Sequence, residues 1–322
     1  MLYLGRLVFG VFVLTSSLDL PLDGIGLTGY RYGQNLYLGD VRKGVVMTGL
    51  MCCVTMLAIL AGTNSSTEKW ELVWSDEFSI AGLPDPNKWD QEVGFIRNQE
   101  LQYYTKARPE NARVEDGMLV IETRKDNFEG HPITSASLRT RGKAEWLYGR
   151  IEVRAKLPTG KGMWPAIWML GINPEHRRWP DCGEIDIMEN VGFDPLVIHA
   201  NIHTKAYNHM IGTNKGNKIE VADPSKNFHV YAIEWFEDHI DFFVDETKYF
   251  TFKNERTGND TWPFDKPHYL ILNAAYGGSW GGQKGVDDSI LPQKYFIDYV
   301  RVYKNKSSTV DGEIKEPWVG SP

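Results

Sequence analysis

Three carboxylates within six residues, Glu184, Asp186 and Glu189, are the part of this 322-residue chain best suited to chemistry. They stand in the run Gly-Glu-Ile-Asp-Ile-Met-Glu-Asn, residues 183–190. Read as a β-strand, the alternation puts Glu184 and Asp186 on one face and Ile185 and Ile187 on the other. Two like charges on one strand face repel, and the pattern is costly unless that face is solvated or used. Glu189 would point to the opposite face. One extra residue at Ile187-Met188, a β-bulge, turns it back to the side of the other two. Such a strand suits glycoside hydrolysis with retention, which needs a nucleophilic carboxylate and a protonated carboxyl about 5–5.5 Å apart. Residues four strand steps apart lie roughly 13 Å apart at the backbone, so the two Glu side chains must converge, and a bulge helps them do so. Asp186, between them, is placed to hydrogen-bond one Glu and to hold the two pKa values apart. The alternatives are a solvent-facing acidic strand or a metal cluster. Ile, Ile and Met between the acids and Trp-Pro before them argue against the first. A calcium loop would carry Gly and Asn at alternate positions.

The same run, with its E-x-D-x-x-E core, resembles the active-site strand of glycoside hydrolase family 16, in the bulged branch that contains laminarinase-type endo-β-1,3-glucanases. The resemblance spans residues 70–304. It implies a β-jelly-roll sandwich of two curved antiparallel sheets with a concave cleft, and retaining endo-hydrolysis of β-1,3-glucan. It also implies Glu184 as nucleophile, Glu189 as acid/base and Asp186 as their orienting partner; the residues alone allow either order of the two Glu roles. Some members of the branch cleave mixed-linkage β-1,3-1,4-glucan or galactans such as agar and carrageenan. A transglycosylase would share the covalent intermediate. Non-catalytic β-glucan-binding relatives lack one or both catalytic Glu, which this chain keeps.

A polysaccharide cleft needs rings that stack on the apolar faces of pyranoses and polar groups for the hydroxyl edges. Trp164, Ala166 and Trp168 share one face of the run 162–170. The resembled G-x-W-P-A-x-W stretch implies that both tryptophans border the cleaved bond; a buried Trp core is the plain alternative. Asn98, in Asn-Gln-Glu-Leu-Gln-Tyr-Tyr, matches the family segment whose Asn reaches a sugar. The run Arg139-Thr-Arg-Gly-Lys143 matches a family pattern whose Arg lines the cleft, which points to Arg139, with Arg141 as the other choice. Arg150 and Glu152 alternate on one face as a structural ion pair. His203 shares a strand face with Asn201, and the resemblance puts it beside the acids, able to tune protonation. Trp280 stands in a Gly-rich loop, Tyr-Gly-Gly-Ser-Trp-Gly-Gly, that lacks the Lys-Ser/Thr pair and following helix of a phosphate site. The glycines let backbone approach a sugar and present the ring. His176, Arg177 and Arg178, before the catalytic strand, are placed to set cleft shape or meet a substrate branch.

No cofactor is expected for catalysis. Members of the family often hold a structural calcium, and Glu77, Gly117 and Asp298 match its ligand positions; a salt bridge at Asp298 is the alternative reading.

The elements that must carry these residues are strands. Apolar alternation recurs at 118–123, 147–155, 197–204, 228–235, 240–244, 269–275 and 295–303, with turn signals between and no amphipathic helix of three turns. Many short strands in one domain, residues 69–304, predict an all-β sandwich or jelly roll. The composition, 42% hydrophobic and 12% aromatic, allows a full core. The formal net charge of −7 argues against a nucleic-acid surface and suits a neutral polysaccharide partner. A monomer is expected. Residues 1–68 read differently, with apolar runs at 7–14 and 44–62. The second is uncharged and follows Arg42-Lys43, as in a secretory signal or a membrane anchor. Ala61, with Ile59 two before it, makes a tolerable cleavage site, and Met47 is a candidate start. Secretion to the outside or the periplasm is expected, with the membrane as partner only if 44–62 is retained. After cleavage Cys182 stands alone, so no internal disulfide can form, and it reads as a packed residue rather than a nucleophile. The polar tail 305–322 reads as disordered.

Overall fold

The computed structural model describes residues 30–32, 35–37, 69–172 and 178–307. The apolar runs at 7–14 and 44–62, the tail beyond 307, and His176 and Arg177 lie outside the described residues. The chain divides into two units, Met1–Ser65 and Ser66–Pro322. In the first, Tyr30–Tyr32 and Asn35–Tyr37 pair as an antiparallel hairpin.

The second unit is all-β, built from a ten-stranded and a seven-stranded sheet. Pairing is antiparallel except where Tyr103–Tyr104 runs parallel to His131–Ser135. The helical content of the described residues is two single 3₁₀ turns, His209–Ile211 and Asp288–Ile290. Every apolar run picked out by alternation lies on a strand. The run at 118–123 continues to Phe128, and that at 295–303 extends to Gln293–Asn305.

Period-two alternation assigns each sheet one inner face, and the two inner faces make one core. The ten-stranded sheet contributes Ile121, Ile151, Val153, Ile233, Trp235 and Val300, all essentially without solvent contact. The seven-stranded sheet contributes Ile167, Met169, Ile185, Ile187, Met188, Ile202 and Leu272. Each such side chain stabilises by about 1.5–3 kcal/mol relative to exposure. Ile185→Ala, in the catalytic strand, would cost roughly 2–5 kcal/mol, because the strand cannot collapse into the gap.

The seven-stranded sheet runs, from one edge to the other, through Lys215–Glu220, Val197–His203, Glu184–Glu189, Met163–Gly171, His268–Tyr276, Ser137–Arg139 and Asp90–Gln91. Its inner face is committed to the core. Its outer face is free to carry a site, and the acids lie on its third strand.

Candidate active site

The catalytic strand carries the bulge that its sequence demands. Against Met163–Gly171, Glu189 pairs Ala166 and Met188 pairs Ile167, but Asp186 already pairs Trp168, so Ile187 has no partner. On the other side Asp186 pairs Asn201 and Glu189 pairs His199, so two residues oppose one. The extra residue sends Ile187 and Met188 both into the core and returns Glu189 to the face of Glu184 and Asp186. All three acids line one cleft of about 770 Å³.

The geometry around each acid differs. Trp164 Nε1–H donates to Glu189 Oε1 at 3.0 Å, and the Asn201 side-chain amide donates to Glu189 Oε2 at 3.2 Å. Glu189 is therefore fixed through both oxygens. His203 pairs with Glu184 across the strands, and its Nε2 lies 3.6 Å from Glu184 Oε1 and 3.3 Å from Asp186 Oδ2. Asp186 lies between the two Glu along the strand, and its Oδ2 has no aligned donor.

Burial pushes all three carboxyls above the ordinary range. For Glu184 the charge of Asp186 adds to burial, while His203 opposes it. For Asp186 the charge of Glu189 adds, and Glu184 opposes. For Glu189 burial again leads, opposed by the Trp164 and Asn201 donors. Burial and mutual repulsion both favour a protonated carboxyl among the three, and a protonated carboxyl is what an acid catalyst needs.

Of the expected sugar-binding residues, Trp164, Trp168, Asn98, His203 and Trp280 all line the cleft. Trp164 and Trp168 each keep 8% of their surface exposed, and Trp168 Nε1–H donates to Asn273 Oδ1 at 2.7 Å. Trp280 stands edge-on to Trp164. Its loop closes on the Asn98 segment: Ser279 N–H donates to the Asn98 carbonyl at 2.8 Å. Gly277 and Gly278 have φ of +72° and +75°, and a Cβ on either would come within 3 Å of Leu101 or of the Asn98 carbonyl. Only glycine fits both demands.

Arg139 corrects the sequence reading. It is not among the cleft-lining residues; it donates twice to Asp90 Oδ2, at 3.0 and 2.7 Å, across the last two strands of the sheet. Burial opposes ionisation of Asp90, but Arg139 and Lys106 outweigh it and hold the carboxyl at about 2. Arg141, the other choice, packs on Tyr269. Among the described residues, the guanidinium that reaches the cleft belongs to Arg97. It lies 4.9 Å from the Trp168 ring centroid and pairs with Glu92, while its Nη1 is buried without a protein partner. Glu92 also accepts from Ser137 Oγ at 2.7 Å, which steadies the pair. Nothing in the order of residues announces this, because Arg97 is delivered by a left-handed turn at Asn98 and Gln99, φ +54° and +55°.

His199, Trp179, His209 and Glu100 also line the cleft. His199 had a sequence signal, since it alternates with Asn201 and His203. Trp179 and His209 pack on each other with ring centroids 5.0 Å apart, a contact between loops that spacing does not reveal. Arg178 is exposed. Arg150 and Glu152 form the expected ion pair at 2.9 Å. Cys182 is buried, and burial pushes its thiol up to about 11, so it is no nucleophile. Of the expected calcium ligands, the Asp298 carboxylate pairs with Arg154; at Glu77 and Gly117 the ligand would be the backbone carbonyl, and the Glu77 side chain separately accepts from Arg301 at 2.9 and 2.8 Å. Gly117 sits at φ +74° in the turn before Met118–Phe128.

Residues 99–301 match the model of glycosyl hydrolases family 16. The chain belongs to this family. It is 52% identical to a β-glucanase of Rhodothermus marinus over 278 residues, which is 83% of this chain and 97% of that one. The structure is similar to that of the laminarinase from Rhodothermus marinus, with a TM-score of 0.72 and 56% identity, over 73% of this chain and 98% of that one. It is also similar to a non-specific endo-β-1,3(4)-glucanase of family 16 solved with 1,3-β-D-cellobiosyl-glucose at its active site. There the TM-score is 0.71 and the identity 51%, over 73% of this chain and 95% of that one. Membership of the family makes the chain a glycoside hydrolase, with the jelly-roll fold of its neighbours.

Proposed function

We propose that this protein is a retaining endo-hydrolase of β-1,3-glucan. The observation that carries the reading is the bulge at Ile187, which brings Glu184 and Glu189 onto one cleft floor and leaves Glu189 held by Trp164 and Asn201. In the first step a Glu184 oxygen attacks the anomeric carbon as the glycosidic C–O bond breaks, and Glu189 gives its proton to the leaving oxygen. In the second, Glu189 takes a proton from water. That water attacks the same carbon and frees Glu184. Asp186 and His203 orient Glu184 and share its charge. Arg97, Asn98, Trp164, Trp168 and Trp280 hold the sugars on either side of the bond. The names of the most similar relatives support β-glucan as the polymer, and the non-specificity of one supports some turnover of mixed-linkage glucan.

The test is product analysis on laminarin, barley β-glucan, agarose and carrageenan with NMR of the first anomer released. The reading expects a ladder of laminarin oligosaccharides, appearing first as the β-anomer. First release of the α-anomer would overturn retention, and activity confined to a galactan would overturn the substrate.

Export by residues 44–62, with secretion or anchoring as its two outcomes, and a monomeric state belong to the same proposal. So does a structural calcium at Glu77, Gly117 and Asp298. There an ion would have to displace Arg154 from the Asp298 carboxylate, since a guanidinium beside a cation repels it. Among the described residues no helix is long and apolar enough to cross a membrane.

A further inference from the structure

We infer that Phe95 and its apolar neighbours form a distal subsite for a long glucan, outside the cleft that holds the cleaved bond. The inference rests on the reading of the protein as a β-1,3-glucanase. Large apolar side chains are normally exposed singly. Here Val93, Phe95, Ile96 and Leu101, exposed by 48, 59, 41 and 46%, fall within nine consecutive residues. Core packing does not explain them, because none belongs to a hydrophobic cluster of the interior.

The ring of Phe95 is held rather than loose. It stands edge-on to Tyr103 and His131, with centroids 5.6 and 5.5 Å away, and those two rings stack on each other at 3.8 Å. Gly94, the residue before it, exchanges two backbone hydrogen bonds with Tyr104, at 3.0 and 3.1 Å. An aromatic ring with over half its surface exposed and its position fixed from behind presents an apolar plate at small entropic cost on binding.

Position identifies the occupant. The cleft crosses the strands, since its lining comes from Asn201, the acids, Trp168 and Asn273 on successive strands, and then from Arg97 and Asn98. The sheet ends at Asp90–Gln91, and the chain passes from that edge through Phe95 directly into Arg97. Phe95 thus stands two residues from Arg97, which lines the cleft, and packs against the edge strands of the neighbouring sheet. On the proposed reading a chain leaving the cleft past Arg97 crosses this surface, and the apolar faces of its pyranoses suit a phenyl ring. The ligand is thus a glucan several units longer than the cleft itself can hold.

The experiment compares the full-length protein with Phe95→Ala and Phe95→Trp on laminarin and on short β-1,3-gluco-oligosaccharides, with melting curves as a control for folding. For Phe95→Ala, kcat/KM on laminarin should fall by about fivefold to tenfold, mostly through KM, the size expected for one lost stacking contact. Turnover of the shortest cleaved oligosaccharide should stay within about twofold, and Phe95→Trp should keep wild-type behaviour on both. Equal loss on both substrates, or no loss on either, would overturn the subsite. Wild-type silence on laminarin and oligosaccharide alike would instead overturn the β-1,3-glucanase reading and, with it, the ligand assigned to this surface.

Discussion

The outer faces of the two sheets carry acids in opposite ways. On the ten-stranded sheet each acid of the central strands has a guanidinium or ammonium partner: Glu122 with Arg113 and Arg124, Glu152 with Arg150, Glu234 with Lys69 and Arg150, Asp298 with Arg154. On the seven-stranded sheet Glu184, Asp186 and Glu189 share one cleft with no guanidinium or ammonium paired to them, and the His203 imidazole lies 3.6 Å from Glu184 and 3.3 Å from Asp186. The residue types are alike and the alternation is alike. What separates a charge ladder from a catalytic site is whether each carboxylate's charge is cancelled where it sits. Uncancelled charge among buried carboxylates is costly, and the protein keeps it where it does work.

The comparison breaks if acids on the two faces respond alike to loss of charge. Glu189→Gln removes the proton donor without changing shape, and turnover should fall by about 10²–10⁴-fold. Its melting temperature should hold or rise, because the amide, unlike the carboxyl, cannot ionise beside Asp186. Glu152→Gln, on the other face, should leave turnover within about twofold. Steady-state kinetics and thermal melts on both variants check this.

A buried base without a counter-charge sharpens the same point. His268 is fully enclosed, its Nδ1–H donates to the Lys266 carbonyl at 2.9 Å, and Nε2 has no protein partner. Burial pushes its pKa down to about 4. The folded state therefore refuses a proton that the unfolded chain takes near its ordinary value of about 6.5, so unfolded protein binds more protons between these limits. Stability from this group is complete above about 6.5 and is lost as pH falls toward about 4, by roughly 3 kcal/mol. Denaturant melts from pH 7 to 4 should show that loss, and His268→Gln should flatten it.

A smaller effect is expected from Trp164→Phe. It keeps the ring and removes the Nε1–H donor to Glu189, so the carboxyl loses support for its ionised form. Its pKa should rise, the alkaline limb of the pH–rate profile should move up, and kcat should fall by about tenfold, the worth of one charge-assisted hydrogen bond. A limb that moves down would contradict the assignment.

The smallest effect belongs to the exposed pair Glu77–Arg301, whose side chains are 43 and 34% exposed. Glu77→Gln should cost under about 1 kcal/mol in metal-free buffer. Should calcium raise the wild-type melting temperature, Glu77→Gln should keep that gain, since its carbonyl is the ligand, and Asp298→Asn should lose it.

Much of this was legible in the sequence. Period-two alternation located the strands because each sheet has one buried face. The spacing of Glu184 and Glu189 implied a bulge because no regular strand could use both. Arg139 shows where legibility ends: a motif gives the residue, but the Asp90 that captures it lies 49 positions away. Arg97 was invisible for the complementary reason, since two left-handed residues in a loop decide where its guanidinium goes. His199 was readable from its alternation with Asn201 and His203.

The most direct test of the account is azide rescue of the two Glu→Ala variants, with the anomer of the product read by NMR. With Glu184 as nucleophile, Glu184→Ala plus azide gives the α-glycosyl azide. With Glu189 as acid/base, Glu189→Ala gives the β-azide on an activated aryl glycoside, by attack on the covalent intermediate. The reverse pattern would exchange the roles of the two acids. Substantial hydrolysis by Glu184→Ala without azide would contradict a covalent mechanism at this strand.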